Sequence, residues 1–485
     1  MTSIDRTRPQ SRLHIGSDRG TTGSGGVYEH VDPTTGRVDA TVPLAGPCEI
    51  EEAVHAAQAA FESWRWTKPA ERRRLLLRLA DLVEQNSDEF TRRGVLDNGS
   101  PLKGAAGHLP IITAWTRYYA GFADKVTTDL TSSLMVDGEL CYTLAQPYGV
   151  VGMIITWNGP LTQLGMKVPS ALAAGNTLVI KPSELTPFVP DLFAELVEEA
   201  GFPPGVVNIL TGGPDAGEAL VSHELVKKIS FTGGPATAQA ILRSCATQFK
   251  SAVLELGGKS ANIIFSDADL DAACTWGTRR AIADLAGQGC NFPSRMIVHE
   301  DVYDEVLERA TTIAKNIKVG DPFDWSTDTG PVVSRVAMER ILGIVERAKL
   351  SDARLVVGGS RLGGPLADGF YIEPTIFAEV DPASELAQEE VFGPVLAVTK
   401  FSTEEEAIKI ANSTKYGLSS YIQTNDLRRA LRVSEQLEAG GCMINGAQNL
   451  TLNRPFGGIG MSGYGKEGGR QGLEEFQRIK TVAIA

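Results

Sequence analysis

Val150-Val151-Gly152-Met153-Ile154-Ile155 is the first of six short apolar runs that lie between residues 149 and 265. The other runs are Thr177–Ile180, Val206–Leu210, Lys228–Phe231, Val253–Leu256 and Asn262–Phe265. Helical patterns lie between the first five, and strands that alternate with helices at this spacing are typical of a parallel sheet covered on both faces. We therefore expect an α/β, doubly wound parallel-sheet domain here.

The alternation resumes further along the chain. Helical patterns lie at 268–285, 301–316, 334–349, 403–413 and 426–437, and strand patterns at 295–299, 354–357, 396–400, 418–422 and 442–445. This predicts a second α/β domain. Before both, residues 50–64, 71–85 and 103–124 have helical periodicity.

Residues 125–147 have a different pattern, with two strand-like segments, 126–130 and 139–144, around a turn at Asp137-Gly138. This pattern predicts a β-hairpin, which is marginal alone and needs another subunit or domain to pack on. The last strand-like residues, 481–484, could pair with it. The resulting partition is a cofactor domain (1–124 and 148–256), a catalytic domain (257–470) and a small β oligomerisation flap (125–147 and 471–485).

Composition narrows the class of function. The 485 residues have a formal net charge of −13, which argues against nucleic acid or an anionic membrane as a partner. No apolar run approaches the roughly 18 residues of a membrane span. Six scattered cysteines without a C-x-x-C pair indicate a reducing, cytoplasmic protein. The six histidines do not cluster in sequence, so we expect no protein-bound metal.

Polar residues follow the predicted strands at the edge where parallel sheets bind ligands. Thr156-Trp157-Asn158-Gly159-Pro160 offers an amide for a developing oxyanion, although the same residues could simply form a turn. Lys181-Pro182-Ser183-Glu184 offers a lysine and a carboxylate for ribose hydroxyls, or else a helix-starting turn. A 2′-phosphate would meet the charge of Glu184, which favours NAD over NADP.

Two glycine-containing loops are candidates for phosphate binding. Thr232-Gly233-Gly234-Pro235 opens a helix whose free N–H groups could hold a pyrophosphate. The loop from Gly212 to Gly217 is a second, weaker candidate.

Two further residues suggest covalent chemistry. Glu255 ends an apolar strand, where burial would raise its pKa towards that of a general base, unless it pairs with Lys259 or an arginine. Cys290 lies in Gly287-Gln288-Gly289-Cys290, a short loop that could expose a nucleophilic thiol. A lone cysteine is more often a small buried hydrophobic residue.

Taken in order, these segments closely resemble the aldehyde dehydrogenase superfamily. The segments are Trp157-Asn158, Lys181-Pro182-Ser183-Glu184, Phe231-Thr232-Gly233, Glu255-Leu256-Gly257-Gly258-Lys259, Gly287-Gln288-Gly289-Cys290, Glu389-Glu390-Val391-Phe392-Gly393-Pro394-Val395 and Pro455-Phe456-Gly457-Gly458. The resemblance covers about residues 25 to 485, and its specificity comes from the ordered set.

The resemblance implies a role for each matched residue. Cys290 is expected to be the nucleophile and Glu255 the general base, with Asn158 and the Cys290 N–H forming the oxyanion hole. Glu467 matches a second acidic position that could relay protons. The expected contacts with NAD are Thr156, Trp157, Lys181, Ser183, Glu184, Gly213, Gly217, Phe231, Thr232, Gly233, Gly234, Leu256, Glu390 and Phe392.

The sequence also departs from common family patterns. Gly159 follows the oxyanion asparagine where an aromatic residue is frequent, Leu450 replaces another aromatic residue, and Gln163 and Met166 occupy expected tunnel positions. We expect a wider, more aliphatic tunnel and a bulky or apolar aldehyde substrate. Gly234 and Ala238 also depart from the common phosphate loop.

The function expected from the resemblance is NAD-dependent oxidation of an aldehyde to a carboxylic acid by a homo-oligomeric enzyme. A CoA-acylating semialdehyde dehydrogenase is an alternative that Glu255 disfavours, because a water-activating base favours hydrolysis. A thiol esterase without redox activity and a non-catalytic protein on the same scaffold also remain open.

Overall fold

The computed structural model describes residues 5–125, 128–132, 136–448 and 450–485. Within these ranges, no helix combines the length and apolar character needed to cross a bilayer.

The strands, in chain order, are β1 (Leu13–Ile15), β2 (Asp18–Gly20), β3 (Val27–Asp32), β4 (Arg37–Pro43), β5 (Leu130–Ser132), β6 (Leu140–Pro147), β7 (Val150–Ile154), β8 (Thr177–Lys181), β9 (Val207–Ile209), β10 (Val226–Thr232), β11 (Ser251–Glu255), β12 (Ala261–Ile264), β13 (Arg295–His299), β14 (Arg354–Val357), β15 (Thr375–Ala378), β16 (Val395–Phe401), β17 (Tyr416–Gly417), β18 (Ser419–Gln423), β19 (Gly441–Ile444), β20 (Ile459–Gly460), β21 (Gly463–Tyr464) and β22 (Gln477–Ile484).

The α-helices are α1 (Pro47–Trp64), α2 (Pro69–Gln85), α3 (Ser87–Asn98), α4 (Leu102–Ala120), α5 (Pro160–Ala173), α6 (Phe188–Glu199), α7 (Pro214–Ser222), α8 (Pro235–Ala246), α9 (Leu270–Ile282), α10 (Tyr303–Lys315), α11 (Arg335–Lys349), α12 (Glu385–Gln388), α13 (Glu404–Ala411), α14 (Leu427–Gln436) and α15 (Gly469–Glu474). Three short 3₁₀ turns lie at Asp284–Gly287, Glu300–Val302 and Gly364–Leu366.

The first large sheet has the order β2-β1-β9-β8-β7-β10-β11-β21. Its five central strands, in the order β9-β8-β7-β10-β11, run parallel to one another. Their residues are almost all buried, as expected for strands covered by helices on both faces. The expected doubly wound parallel sheet is therefore confirmed.

The second large sheet has the order β14-β15-β16-β13-β12-β18-β19. Only β14 is antiparallel to its neighbour, so the second α/β unit is also confirmed. The sixth apolar run, at 262–265, contributes β12 to this second sheet rather than to the first, because β12 pairs with β13 and β18. Conversely, β21 crosses to the first sheet and pairs with β11.

A third sheet, β22-β6-β5, is antiparallel throughout. The C-terminal strand pairs with β6 over eight residues, from Gln477↔Pro147 to Ile484↔Leu140. Part of the predicted first hairpin strand, residues 126 and 127, lies outside the described residues. On the side of β6 away from β22, the strand that pairs with it is β5, at 130–132.

Helix α3 and strand β15 are among the elements that had no counterpart in the sequence-based prediction. A single residue, Asn86, separates α3 from α2, and the sequence pattern predicted only the first of these two helices. Strand β15 is only four residues long and follows Pro374. The structure of both segments is set by packing rather than by local pattern.

Candidate active site

Strand register brings the predicted site residues to one edge of the first sheet. Ile154 pairs with both Lys181 and Phe231, and Phe231 pairs with Leu254. Thr232 is opposite Glu255. The residues that follow β7, β8, β10 and β11 therefore share a common edge, where parallel α/β sheets bind their ligands.

The loop that carries Cys290 packs tightly against two neighbouring loops through glycines. A Cβ atom at Gly258 would lie 2.3 Å from the Cys290 carbonyl oxygen, and one at Gly287 would lie 2.1 Å from the Gly393 oxygen. Gly287 also has φ +72°, and Leu285 and Ala286 before it have positive φ without being glycine. Such strained backbone concentrates at functional sites.

Cys290 is half-buried and free. Burial, together with the nearby carboxylates of Glu390 and Glu255, raises the pKa of its thiol to about 12, although backbone N–H groups at 290 and 291 oppose this. The thiol is therefore protonated at neutral pH and needs a base before it can attack a substrate.

Glu255 is buried, and neither of its carboxylate oxygens has a hydrogen-bond partner among the described residues. The alternative that it pairs with Lys259 or an arginine is wrong. Burial raises its pKa well above the ordinary value, and the charge of Glu467 adds to this, while Lys167 and Lys466 oppose it. Backbone at Gly457 lies directly against it, since a Cβ there would be 2.5 Å from Oε1.

A buried ion pair lies behind Glu255. Lys167 of α5 is fully buried and donates to the Glu467 carboxylate and to Ser230 Oγ at 2.9 Å. Glu467 is thus held by a lysine while remaining close enough to raise the pKa of Glu255. A buried charge pair of this kind needs such partners to be tolerated.

The Asn158 side chain is oriented by two glutamines. Its Nδ2 donates to the Gln288 carbonyl at 2.9 Å, and its Oδ1 accepts from Gln163 Nε2 at 3.4 Å. Gln163 in turn accepts from the Thr156 N–H at 2.9 Å. Because Gln288 lies two residues before Cys290, this arrangement directs the Asn158 amide towards the loop that carries Cys290.

The ends of β8 and β9 form a second cluster. Lys181 Nζ donates to the Gly212 carbonyl at 2.5 Å, and its chain lies 3.8 Å from a Cβ position at Gly217. Ser183 Oγ accepts from the Leu185 N–H at 3.3 Å, which stabilises the turn that holds Glu184. Burial raises the pKa of Tyr28, which sequence reasoning missed, and the nearby charge of Glu184 raises it further.

The start of α8 has room for a ligand. Gly234 precedes the helix without a side-chain cap, and a Cβ there would meet nothing within 4 Å; Gly213 before α7 is equally open. At Gly233 a Cβ would instead collide with the Phe231 ring. Thr232 Oγ1 is buried without a partner among the described residues, as expected of a group that awaits one.

Glu390 and two aromatic residues complete this side. Glu390 Oε1 accepts from the Gly258 N–H at 2.9 Å, and burial raises its pKa to about 7. Trp157 and Phe392 meet edge to face, with ring centroids 5.4 Å apart, and Phe392 has positive φ. Leu256 is buried, and its N–H donates to the Ser462 carbonyl at 3.1 Å.

One cavity of about 550 Å³ connects the catalytic candidates. Cys290, Glu255, Asn158, Thr232 and Glu467 all line it, as do the predicted tunnel residues Gln163, Met166 and Leu450. This volume is within the usual range for a small-molecule site.

Several lining residues could not be found from the sequence. They are Gly104, Gly107, His108, Ile111, Arg279, Arg280 and Phe292. Their helices and loops reach the cavity only through tertiary packing. Lys167 gave one signal that was missed, because it is the single charged residue of helix α5.

Two histidines that lie far apart in the sequence, His55 and His223, come together in the fold. His55 and His223 each place Nε2 within hydrogen-bond distance of Glu51, at 2.9 and 3.1 Å. His223 Nδ1 accepts from the Leu225 N–H, so its proton is on Nε2 and points at Glu51. That tautomer favours a hydrogen-bonded bridge over a metal ligand.

Comparisons with known proteins agree with this geometry. The model of the aldehyde dehydrogenase family matches residues 21–482. The mitochondrial aldehyde dehydrogenase of Rattus norvegicus is 42% identical over 468 residues, which cover 94% of this chain and 88% of the rat protein.

Two solved structures are similar throughout. PnpE from Pseudomonas sp. WBC-3, in complex with nicotinamide adenine dinucleotide, is 40% identical with a TM-score of 0.95, covering 98% of both chains. Betaine aldehyde dehydrogenase from Staphylococcus aureus, in complex with NAD+, is 34% identical with a TM-score of 0.95, covering 98% of this chain and 94% of the other. The chain belongs to the aldehyde dehydrogenase family, and it is an enzyme of that class.

Proposed function

We propose that this enzyme oxidises an aldehyde to a carboxylic acid with NAD, using Cys290 as nucleophile, Glu255 as general base and Asn158 as oxyanion-hole donor. The observation that carries the proposal is the single cavity that these three side chains share. A nucleophile, a base and an amide donor facing one cavity are the components of acyl-transfer chemistry on a carbonyl.

Attack begins with removal of the thiol proton. The thiol of Cys290 has a raised pKa, and the nearby Glu255 has free oxygens and a pKa that burial raises well above its ordinary value, so its carboxylate can accept the proton. Sγ then bonds to the aldehyde carbon, and the negative charge on the carbonyl oxygen is stabilised by Asn158 Nδ2 and the Cys290 N–H.

Oxidation leaves an acyl group as a thioester on Cys290. NAD, when bound, accepts the hydride that leaves the former aldehyde carbon. Glu255 must next pass on the proton that it took from the thiol, and we expect Glu467, held by Lys167 behind it, to receive that proton. The ionised Glu255 then takes a proton from water, and the water oxygen attacks the thioester carbon. Collapse breaks the C–S bond and releases the acid, and the proton on Glu255 returns to the sulfur.

The cofactor side fits NAD. The orphaned Thr232 Oγ1, the open Gly213 and Gly234 and the free N-terminus of α8 suit the pyrophosphate region. Lys181 and Glu184 suit an adenosine ribose, and Glu390, Trp157 and Phe392 suit the nicotinamide end. The carboxylate of Glu184 disfavours a 2′-phosphate, which supports NAD over NADP.

The cavity walls support a bulky or apolar aldehyde. Gly104, Gly107 and Gly159 leave its walls open, and Ile111, Met166 and Leu450 make them aliphatic. We expect kcat/KM to rise with the size of an apolar aldehyde; equal values for short and bulky aldehydes would contradict this.

We also propose that the enzyme is at least a dimer. The three-stranded sheet exposes Leu140, Ile479 and Ile484, with 47%, 64% and 50% of their surface accessible. Such a sheet gains stability by packing its apolar residues on a second copy. Sedimentation as a monomer at micromolar concentration would contradict the proposal.

A cytoplasmic location is proposed on the cysteine chemistry. The six cysteines are scattered along the sequence without a C-x-x-C pair, and burial away from the site raises the thiol pKa of three of them, Cys245, Cys274 and Cys442. Thiols of this kind persist in a reducing compartment. Cell fractionation with antibody detection would test the location.

The decisive experiment follows NADH absorbance with a panel of aldehydes. We expect Cys290→Ala to reduce turnover about 1,000-fold or more, because no other group can form the thioester. Cys442→Ala is the matched control, since Cys442 is also half-buried with a raised pKa but lies outside the cavity.

Other outcomes would favour the alternative functions. NADH formation that required CoA would indicate an acylating enzyme. Hydrolysis of activated esters by wild type without NADH formation from any aldehyde would favour a thiol esterase.

A further inference from the structure

The mouth of the catalytic cavity has a local charge opposite to that of the whole chain. Three basic side chains that reach solvent line it, Lys103, Arg279 and Arg280, together with two carboxylates, Asp284 and Asp328; the other two carboxylates of the cavity, Glu255 and Glu467, are buried. The mouth therefore has an excess of positive charge, whereas the chain has a net charge of −13. A local field of this sign attracts anions to a cavity.

Arg280 is the basic residue most closely tied to the nucleophile loop. Its guanidinium lies 4.3 Å from the centroid of the Phe292 ring, and its Nη1 donates to Asp284 Oδ2 at 2.7 Å. The Phe292 ring in turn packs on Gly289, where a Cβ would be 2.4 Å away. One aromatic ring thus separates this cation from the residue beside Cys290.

The guanidinium retains donors for a ligand. Arginine has five N–H donors, and Asp284 is the one hydrogen-bond acceptor that Arg280 contacts in the described part of the chain. Its side chain is 34% exposed. Stacking on Phe292 fixes the plane of the group, which is the arrangement that binds a carboxylate through two hydrogen bonds.

A second pair of cations lies along the same wall. Lys103 Nζ and Arg279 Nη2 both donate to Asp328 Oδ1 at 2.7 Å. Together with the Lys318 N–H, they hold the pKa of Asp328 at about 2. One carboxylate therefore offsets two cations, and the positive excess at the mouth comes from this pair.

His108 faces the same region from α4. It is half-buried, and it makes no hydrogen bond within the described ranges. Burial lowers its pKa, and the charge of Arg280 lowers it further, so the ring is neutral near pH 7 and can donate one N–H. A ligand that accepts hydrogen bonds would satisfy both His108 and Arg280.

We propose that Arg280, stacked on Phe292 and supported by His108, Lys103 and Arg279, binds a carboxylate at the far end of the aldehyde substrate. This inference rests on the proposed function. The substrate class it names is an ω-carboxylated aldehyde, in which an apolar spacer spans the aliphatic part of the cavity and the carboxylate reaches its basic mouth. A quaternary ammonium in that position would meet the same positive charge and be repelled.

The test compares three aldehydes of matched length: 6-oxohexanoate, its methyl ester, and the corresponding ω-trimethylammonio aldehyde. The expected kcat/KM is highest for the carboxylate, about tenfold or more above the ester, and lowest for the ammonium compound. Added salt should reduce the difference between carboxylate and ester, because it screens a partly exposed charge pair.

Two variants of Arg280 test whether this residue causes the preference for the carboxylate over the ester. Arg280→Gln should lower the carboxylate-to-ester ratio about tenfold, mainly through KM, and Arg280→Lys should restore part of it because the charge returns. Arg335→Gln is the matched control, since Arg335 also stacks on a phenylalanine, Phe370 at 5.4 Å, but lies outside the cavity.

The proposal is overturned if wild type oxidises the ester as well as the carboxylate. It is equally overturned if Arg280→Gln leaves the ratio at the value found for Arg335→Gln. The proposed function is judged separately: oxidation of the ester by wild type and its loss in Cys290→Ala would support the thioester mechanism whatever the ratio shows.

Discussion

Two carboxylates act on Cys290 from two different parts of the fold. Glu255 ends β11 and, with Glu467 and Lys167, forms what we call the Glu255 side. Glu390 lies in the loop before β16 and, with Gly257, Gly258 and Phe392, forms the Glu390 side. Burial raises the pKa of both carboxyl groups.

Their hydrogen bonds differ. Glu390 accepts the Gly258 N–H, whereas both oxygens of Glu255 lack a partner among the described residues. A raised pKa alone does not therefore distinguish a base from a binding group. The carboxylate with free lone pairs, next to the reactive cavity, is the one suited to move protons.

The largest effect should come from Glu255→Gln, which keeps the shape of the side chain but removes the base. We expect kcat to fall about 100- to 10,000-fold, because water is no longer activated to release the acyl group. Steady-state and stopped-flow measurement of NADH would check this.

The same variant distinguishes the two roles given to Glu255. A retained burst of NADH, about one per active site, would place the loss in hydrolysis; loss of the burst would place it in thiol deprotonation. In wild type, kcat should rise with pH as Glu255 ionises, and this acid limb should vanish in the variant. If the Glu255→Gln variant turned over as fast as wild type, Glu255 would not be the base, and the two sides would no longer differ in function.

A smaller effect, on stability, is expected from Glu390→Gln. The folded-state pKa of Glu390 is raised to about 7 from an ordinary value of 4.5. Its stabilising contribution is therefore present below pH 4.5 and is lost as the pH rises through 7. Glutamine does not titrate and can still accept the Gly258 N–H.

We expect the variant to match wild type near pH 4.5 and to exceed it by about 1–3 kcal/mol at pH 8. Thermal unfolding midpoints measured across this range would test the sign. Glu389→Gln is the control, because Glu389 is paired with the exposed Lys415. A variant less stable than wild type at pH 8 would show that the ionised Glu390 stabilises the fold.

The sequence predicted the Glu255 and Glu390 sides better than it predicted the mouth of the substrate cavity. Asn158, Lys181, Thr232 and Glu255 follow strands of a parallel sheet, so their shared edge could be inferred from chain order alone. The carboxyl ends of parallel strands always lie at the same edge of a sheet, and this made this part of the site predictable.

The cavity mouth followed no such rule. Lys103 and His108 lie on α4, Arg280 on α9 and Asp328 in a loop, and only packing between the helices brings them together. The missed contact between His55 and His223 has the same cause, because α1 and the end of α7 meet through tertiary packing. Side-chain clusters between helices depend on the rotation of each helix, which a single sequence constrains weakly.

The smallest effect tests the cavity wall away from both carboxylates. Gly107 lies inside α4 and lines the cavity, and a Cβ there would meet nothing within 4 Å. Glycine within a helix is less stable than alanine by about 0.5–1 kcal/mol. Gly107→Ala should therefore raise the unfolding midpoint slightly, while its methyl group takes volume from the cavity.

We expect kcat/KM for the bulkiest aldehydes to fall about tenfold and that for short aldehydes to change little. Gly343→Ala in α11 is a control for the helical effect alone, because it lies outside the cavity and its contact is with the flexible end of Arg347. Equal losses for short and bulky aldehydes would show that Gly107 does not set substrate size. In that case the reason for a glycine at this position would lie in the backbone of α4 near Pro110 rather than in the cavity.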